Sequence, residues 1–479
     1  MLYREQFRPQ YHFSAPLNWI NDPNGLVSYD GEYHLFYQHN PMGIRWGHMS
    51  WGHAISRDLI QWQHFPLAIP EEDVMIFSGS CVIDKTNTAG FAERPGNAPM
   101  VAIYTGYAKG KNQSQCLAYS NDKGRTWKKY EKNPVLDIDI KDFRDPQVFW
   151  YEPHKKWIMS IVLAVEKMVQ FYSSQNLKEW KLLSSFGPAG DTSGIWECPD
   201  LFEVPIEDEP GKTKWVLMHS PSPYMQYFVG DFDGSSFKNE NPNTKIFRPD
   251  YGSDYYAAIT YKNRPRGELP ISIGWANNWK YAQDIPTIPW RGAMSLPRML
   301  SLKKVNDEWL LLQEPITSVN LLRSDPLIDI KCLILEKTKR LPVNSTQFEL
   351  QLSAKPSNNS YFGIRFFSGA GHEMELCYDN KSHTLCLDRS KTRNNSFNQM
   401  FEKLGRCETN LVLDNDRLSL RIFVDNSLVE VFANKGKAVM TMQVFPGEED
   451  SGVELFCNRG DIFIEHLTLW PIKNSWGIC

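Results

Sequence analysis

One short pattern constrains this chain more than any other. Ser56-Arg57-Asp58-Leu59-Ile60-Gln61-Trp62 returns as Ser174-Gln175-Asn176-Leu177-Lys178-Glu179-Trp180. A third copy, Ser120-Asn121-Asp122-Lys123-Gly124-Arg125-Thr126-Trp127, carries one extra residue. Each follows a strand-like run and pairs a Ser with an Asp or Asn two residues on, side chains that bend a backbone by bonding to it. The pattern predicts hairpin turns, each closed by a buried Trp. Similar units at intervals of about 50–65 residues suggest the blades of a β-propeller.

The surrounding runs agree. Tyr33–Gln38, Met100–Tyr104, Trp157–Leu163, Lys214–His219 and Ile271–Trp275 are short, β-branched or aromatic, and bounded by Gly, Pro, Asn or Asp. No long amphipathic helical window interrupts the first 320 residues. Near 315–335 the texture changes, and Leu418–Val424 and Leu428–Phe432 alternate apolar with polar around a turn at Asp425-Asn426-Ser427. The expected architecture is all-β: a propeller over 1–320, a linker over 321–335 and a further β domain over 336–479 that braces it, with the alternation that sheets packed face to face would give.

Three acidic residues stand in unusual company. Trp19-Ile20-Asn21-Asp22-Pro23-Asn24-Gly25 sets Asp22 between amides and ahead of turn residues. Phe143-Arg144-Asp145-Pro146 sets Asp145 between a guanidinium and a proline, and Trp196-Glu197-Cys198-Pro199 sets Glu197 beside an indole and a thiol. On propeller blades, acids this far apart in sequence converge on one funnel. The chemistry that suits them is glycoside cleavage by a nucleophilic carboxylate and an acid/base carboxyl roughly 5–5.5 Å apart. Asn21 would keep Asp22 ionised as nucleophile. Trp196, by desolvation, and nearby negative charge would keep Glu197 protonated as acid. Asp145, clamped by Arg144, would remain ionised and grip the sugar.

With these motifs the chain resembles glycoside hydrolase family 32, the β-fructofuranosidases of the invertase, levanase and exo-inulinase group. The resemblance implies a five-bladed propeller with a C-terminal β-sandwich. It makes Asp22 the nucleophile, Asp145 the transition-state stabiliser and Glu197 the acid/base. It also places Asn21, Gln38, Trp46, Phe77, Ser78, Arg144, Cys198 and Trp279 about a fructose pocket. Phe77-Ser78-Gly79-Ser80, Trp275–Trp279 with Tyr281, Pro286–Arg291 and Leu296–Arg298 continue the family pattern. Tyr255 is expected at the pocket mouth. Cys198 also has a plain packing role open to it. The implied activity is retaining, exo-acting hydrolysis of terminal fructosyl units from levan, inulin or sucrose, with a sucrose-6-phosphate hydrolase as alternative. The sialidase-like box Ser120–Trp127 and a non-catalytic sugar-binding propeller are the remaining rivals.

Composition narrows the partners. A net charge of -4 across 479 residues argues against nucleic acid, and no run of 18 apolar residues predicts a membrane span. Nine cysteines, without a C-x-x-C pair, fit reduced thiols. His34, His39, His48, His53 and His64 show no ligand spacing, so neither metal nor organic cofactor is expected. The N-terminus carries no apolar signal core, which fits a cytoplasmic protein or one whose signal peptide has been removed. Oligomeric state is left open.

Overall fold

The computed structural model describes residues 3–265 and 267–476. Five sheets lie between Asn18 and Pro315, and two six-stranded sheets between Ile328 and Pro471. Among the described residues the one α-helix is Gln399–Lys403, and no helix is long and apolar enough to cross a membrane.

The five N-terminal sheets are antiparallel meanders, consecutive in sequence, that begin with Asn18–Tyr29, Met75–Ile83, Phe143–Tyr151, Trp196–Pro205 and Tyr256–Thr260. These first strands touch one another in chain order, and the fifth touches the first, which closes a ring. A parallel pairing of Asn18-Trp19 with Trp290-Arg291 ties the end of the circuit to its start.

The apolar residues explain the ring. Val27, Phe36 and Trp51 pack with Ile76 and Tyr104, and Val82 and Ile103 pack with Phe143 and Met159. Further layers join Val162 with Leu201, Val204 with Leu300, and Trp19 with Trp275. Each wedge between neighbouring sheets thus has its own core, because both faces of every sheet are covered. The axis is where first strands meet, and it is left to polar side chains.

The recurrent turns join the third to the fourth strand of the first three sheets. Ser56, Ser120 and Ser174 each hydrogen-bond the Asp58, Asp122 or Asn176 two residues on, at 2.9, 2.7 and 3.2 Å. Trp62, Trp127 and Trp180 are half-buried rather than buried. Their rings cap an outer edge, where solvent still reaches one side.

The expected linker over 321–335 needs correcting. Ile328–Leu335 is already a strand of the sandwich, paired with Ile462–Pro471. Only the 3-10 turn Thr317–Leu322 and a few residues after it connect the domains. The polar residues of this edge strand hid its alternation. The two domains meet over Phe423, Phe432 and Val439, which pack into the propeller cluster around Trp19 and Ile259.

Candidate active site

At one level of the funnel, every first strand carries a bulge in which two residues oppose one on the neighbouring strand. Asn21-Asp22 stand against Gln38, Phe77-Ser78 against Thr105, and Asp145-Pro146 against Ile161. Cys198-Pro199 stand against His219, and Ala257-Ala258 against Gly274. A bulge bends its strand and re-aims a side chain, so five bulges turn residues from all five sheets toward one point. Asp145, Cys198 and Ala257 hold φ of 64°, 48° and 52°. Such left-handed backbone at a residue with a Cβ costs on the order of 1–3 kcal/mol, strain that typifies functional sites.

The side chains form one connected cluster. Ser78 Oγ donates to Asp22 Oδ2 at 2.7 Å, and Cys198 Sγ lies 3.6 Å from the same oxygen. That sulfur is 3.7 Å from Asp145 Oδ2, which also accepts the Cys198 backbone N–H at 3.0 Å. Cys198 therefore stands between the two aspartates. Asp22 Oδ1 is buried and makes no hydrogen bond. Asn21 accepts the Trp19 indole N–H at 2.7 Å, which fixes its amide and leaves Nδ2 as donor. Arg144 donates to Glu197 Oε1 from Nε and Nη2 at 3.2 and 3.0 Å, and to Asp142 at 3.0 Å. Tyr256 Oη donates to Glu197 Oε2 at 2.5 Å.

Asp22, Asp145 and Glu197 thus lie together with one guanidinium, Arg144, which pairs with Glu197 and more distantly with Asp145. Burial, then the charge of Glu197, raises Asp22 above the usual carboxylate range, against the pull of Ser78, Asn21 and Cys198. Asp145 is pushed up to about 7, by burial first and by Glu197 and Asp22, with Arg144 opposing. Burial and the same three acids raise the Cys198 thiol, which stays protonated as a donor. The excess negative charge is suited to a substrate that becomes positive as it reacts.

Other expected residues pack around this cluster. Trp46, 39% exposed, meets Phe77 edge-on at 5.9 Å between ring centroids. Trp279 packs on Trp275 at 4.8 Å and Trp19 at 6.0 Å. Gln38 is buried, and its amide ties the first sheet to the second by donating to Asn24 Oδ1 at 2.7 Å and Ile76 O at 3.0 Å.

Three expectations change. Tyr255 is not at the mouth: it is 4% exposed, with the Arg298 guanidinium 4.0 Å over its ring. Side chains alternate along extended backbone, so Tyr256 reaches the funnel instead. Trp196 turns away from Glu197 for the same reason, bonding Asp191 O at 2.9 Å and packing on His219 at 4.0 Å. Arg144 bonds Glu197 more closely than Asp145, whose Oδ2 is 3.8 Å from Nε.

Thr105 is an addition that sequence reasoning missed. Its Oγ1 accepts the Asp145 N–H at 3.0 Å and donates to Gln115 at 2.8 Å. Only its place opposite a bulge signals a role. Among the described residues no group of three or more His, Cys, Asp or Glu is arranged to hold a metal ion. His34 and His53 bond each other at 3.1 Å, and His39 bonds Trp19 O at 2.8 Å.

A propeller whose funnel gathers two Asp and a Glu is the scaffold of a glycoside hydrolase. The comparisons agree. Residues 12–315 match the glycosyl hydrolases family 32 N-terminal domain, and 322–471 the family 32 C terminal domain. The chain is 43% identical to a levanase of Bacillus subtilis (strain 168) over 499 aligned positions, covering 99% of this chain and 72% of that one. It is 37% identical to an extracellular exo-inulinase of Aspergillus niger, covering 99% and 96%. The crystal structure of Aspergillus awamori exo-inulinase superposes with a TM-score of 0.95 at 35% identity, covering 99% and 100%. A Schwanniomyces occidentalis β-fructofuranosidase complexed with fructosyl-erythritol gives 0.90 at 32% identity, covering 99% of each chain. The chain belongs to glycosyl hydrolase family 32.

Proposed function

We propose that the protein is a retaining, exo-acting β-fructosidase that releases terminal fructose from levan, inulin and sucrose. The observation that carries this reading is the single cluster joining Asp22, Asp145 and Glu197 through Cys198 and Arg144. The relatives' own substrates point the same way.

Asp22 attacks the anomeric carbon through Oδ1, its oxygen without a hydrogen bond, while Ser78 holds Oδ2. Glu197 protonates the departing oxygen, then takes a proton from the water that frees the fructosyl unit from Asp22. Tyr256 and Arg144 fix the Glu197 carboxyl between the two steps. Asp145 accepts the sugar hydroxyls and stabilises positive charge growing on the ring. No step calls for a metal or organic cofactor.

Chromatography of products from levan, inulin, sucrose and sucrose 6-phosphate tests the reading. Free fructose alone from both polymers supports it. Intermediate oligomers would overturn the exo mode, and activity confined to sucrose or its phosphate would move the protein to the invertase branch.

A further inference from the structure

A second chemically reactive group lies far from the funnel, on the outward face of the sandwich. Cys377 and Cys386 sit directly opposite each other on the antiparallel strands His372–Asp379 and Thr384–Asp388. Among the described residues they are the one pair of cysteines in register. Directly opposed residues of an antiparallel pair have Cα atoms about 4.5 or 5.5 Å apart. A disulfide accepts roughly 4.4–6.8 Å between Cα atoms, so either register spacing falls within its range.

Their surroundings set them apart from core thiols. Leu376, Tyr378, Leu385 and Leu387, the residues on either side, point into the main sandwich core. Alternation therefore puts Cys377 and Cys386 on the other face, in a small cluster with Phe456 and Tyr361. They are 3% and 1% exposed, with Tyr361 packed against them at the rim of their cluster. Tyr361 is half-buried and the Arg406 side chain is 51% exposed. Tyr361 Oη donates to Cys377 Sγ at 3.1 Å. The neighbouring Cys386 thiol, and after it Tyr361, lowers Cys377 below the ordinary thiol range, with burial opposing. One sulfur is thus prepared as nucleophile, with its resolving partner beside it.

We propose that Cys377 and Cys386 form a reversible cross-strand dithiol–disulfide site, which closes when it meets a small-molecule disulfide such as oxidised glutathione. The Cys377 thiolate attacks one sulfur of the reagent, breaks its S–S bond and releases one glutathione thiolate, which takes up a proton. Cys386 then attacks Cys377 Sγ in the mixed disulfide, releasing the second glutathione. The two cysteines lose two electrons and two protons, and the reagent gains them as two thiols.

The test is peptide mapping of the folded, full-length protein after incubation with oxidised glutathione and thiol blocking. Trypsin cuts after Arg365, Lys381 and Arg389, so the two cysteines fall on separate peptides. The expected result is those peptides joined by a bond that dithiothreitol reopens, with an intact mass lower by two hydrogens. In Cys386→Ser the reaction should stop at a glutathione adduct on Cys377. Wild-type protein with both thiols still free, or with a lasting glutathione adduct on either, would overturn the proposal.

Discussion

Asp254-Tyr255-Tyr256 links two buried charge clusters that obey different rules. Tyr256 faces the funnel, where Glu197 and Asp145 share Arg144 and Asp22 stands beside them across Cys198. Asp254 and Tyr255 face the domain interface. There Arg389 bonds Asp254 at 2.6 Å, and Arg298 bonds Glu430 at 2.5 Å and Asp250 at 3.0 Å. His12 lies between Asp425 at 2.9 Å and Glu430 at 3.0 Å, all three with fully buried side chains. Acids at the interface nearly all meet a cation, and Arg298 and His12 hold Glu430 low despite its burial, although burial still raises Asp250 against the pull of Arg298. In the funnel, charge is left over and burial raises both aspartates. The interface uses charge to fix two domains in one register. The funnel stores unmet charge that a substrate completes.

The largest effect that would sharpen this contrast is in the funnel. Asp22→Asn should cut kcat by about 10⁴-fold or more, as loss of a nucleophile does, while its melting temperature rises because a strained like-charge site is relieved. A lower melting temperature would break the comparison. Glu197→Gln should lower kcat by about 10²–10⁴-fold for substrates with poor leaving groups, measured on sucrose against an activated aryl fructoside. Arg298→Met should do the reverse. It strands Glu430 and Asp250, costing about 3–5 kcal/mol in denaturant titration, with kcat of the folded fraction unchanged.

A gentler test comes from pH. Burial by itself would lower His12, but Asp425 and Glu430 overcome it and raise the group to about 9. Its folded value lies above the unfolded value of about 6.5. The stabilisation is therefore complete below about pH 6.5 and is lost as pH climbs through 9. Melting curves across that window should fall for wild type and flatten for His12→Gln. The smallest effect expected is for Tyr256→Phe. Removing one hydrogen bond to Glu197, worth about 1.5–3 kcal/mol when one partner is charged, should lower kcat by tenfold or more and leave KM nearly unchanged.

How much of this was legible in the sequence differs between the same two regions. Asp22, Asp145 and Glu197 announce themselves because each sits one or two residues before a proline at the start of an aromatic strand. The turn repeat, too, reports a propeller, through Ser and Asp or Asn side chains that bond within their own turn. Directions were harder. Choosing between Tyr255 and Tyr256 requires the phase of a short strand, and that phase is set by a bulge at Ala257-Ala258 which two alanines do not advertise. Trp196 adjoins Glu197 in sequence yet faces the opposite side of the sheet. The interface cluster was invisible for a different reason. His12, Arg298 and Glu430 are each unremarkable locally, and only long-range packing brings them within 3.0 Å.

The most direct test of the account is to trap the covalent intermediate. Glu197→Gln protein, mixed briefly with an activated fructoside and quenched in acid, should carry one fructosyl unit, mapped by mass spectrometry to Asp22. Label on Asp145, or none at any time while the activated substrate is being consumed, would contradict it.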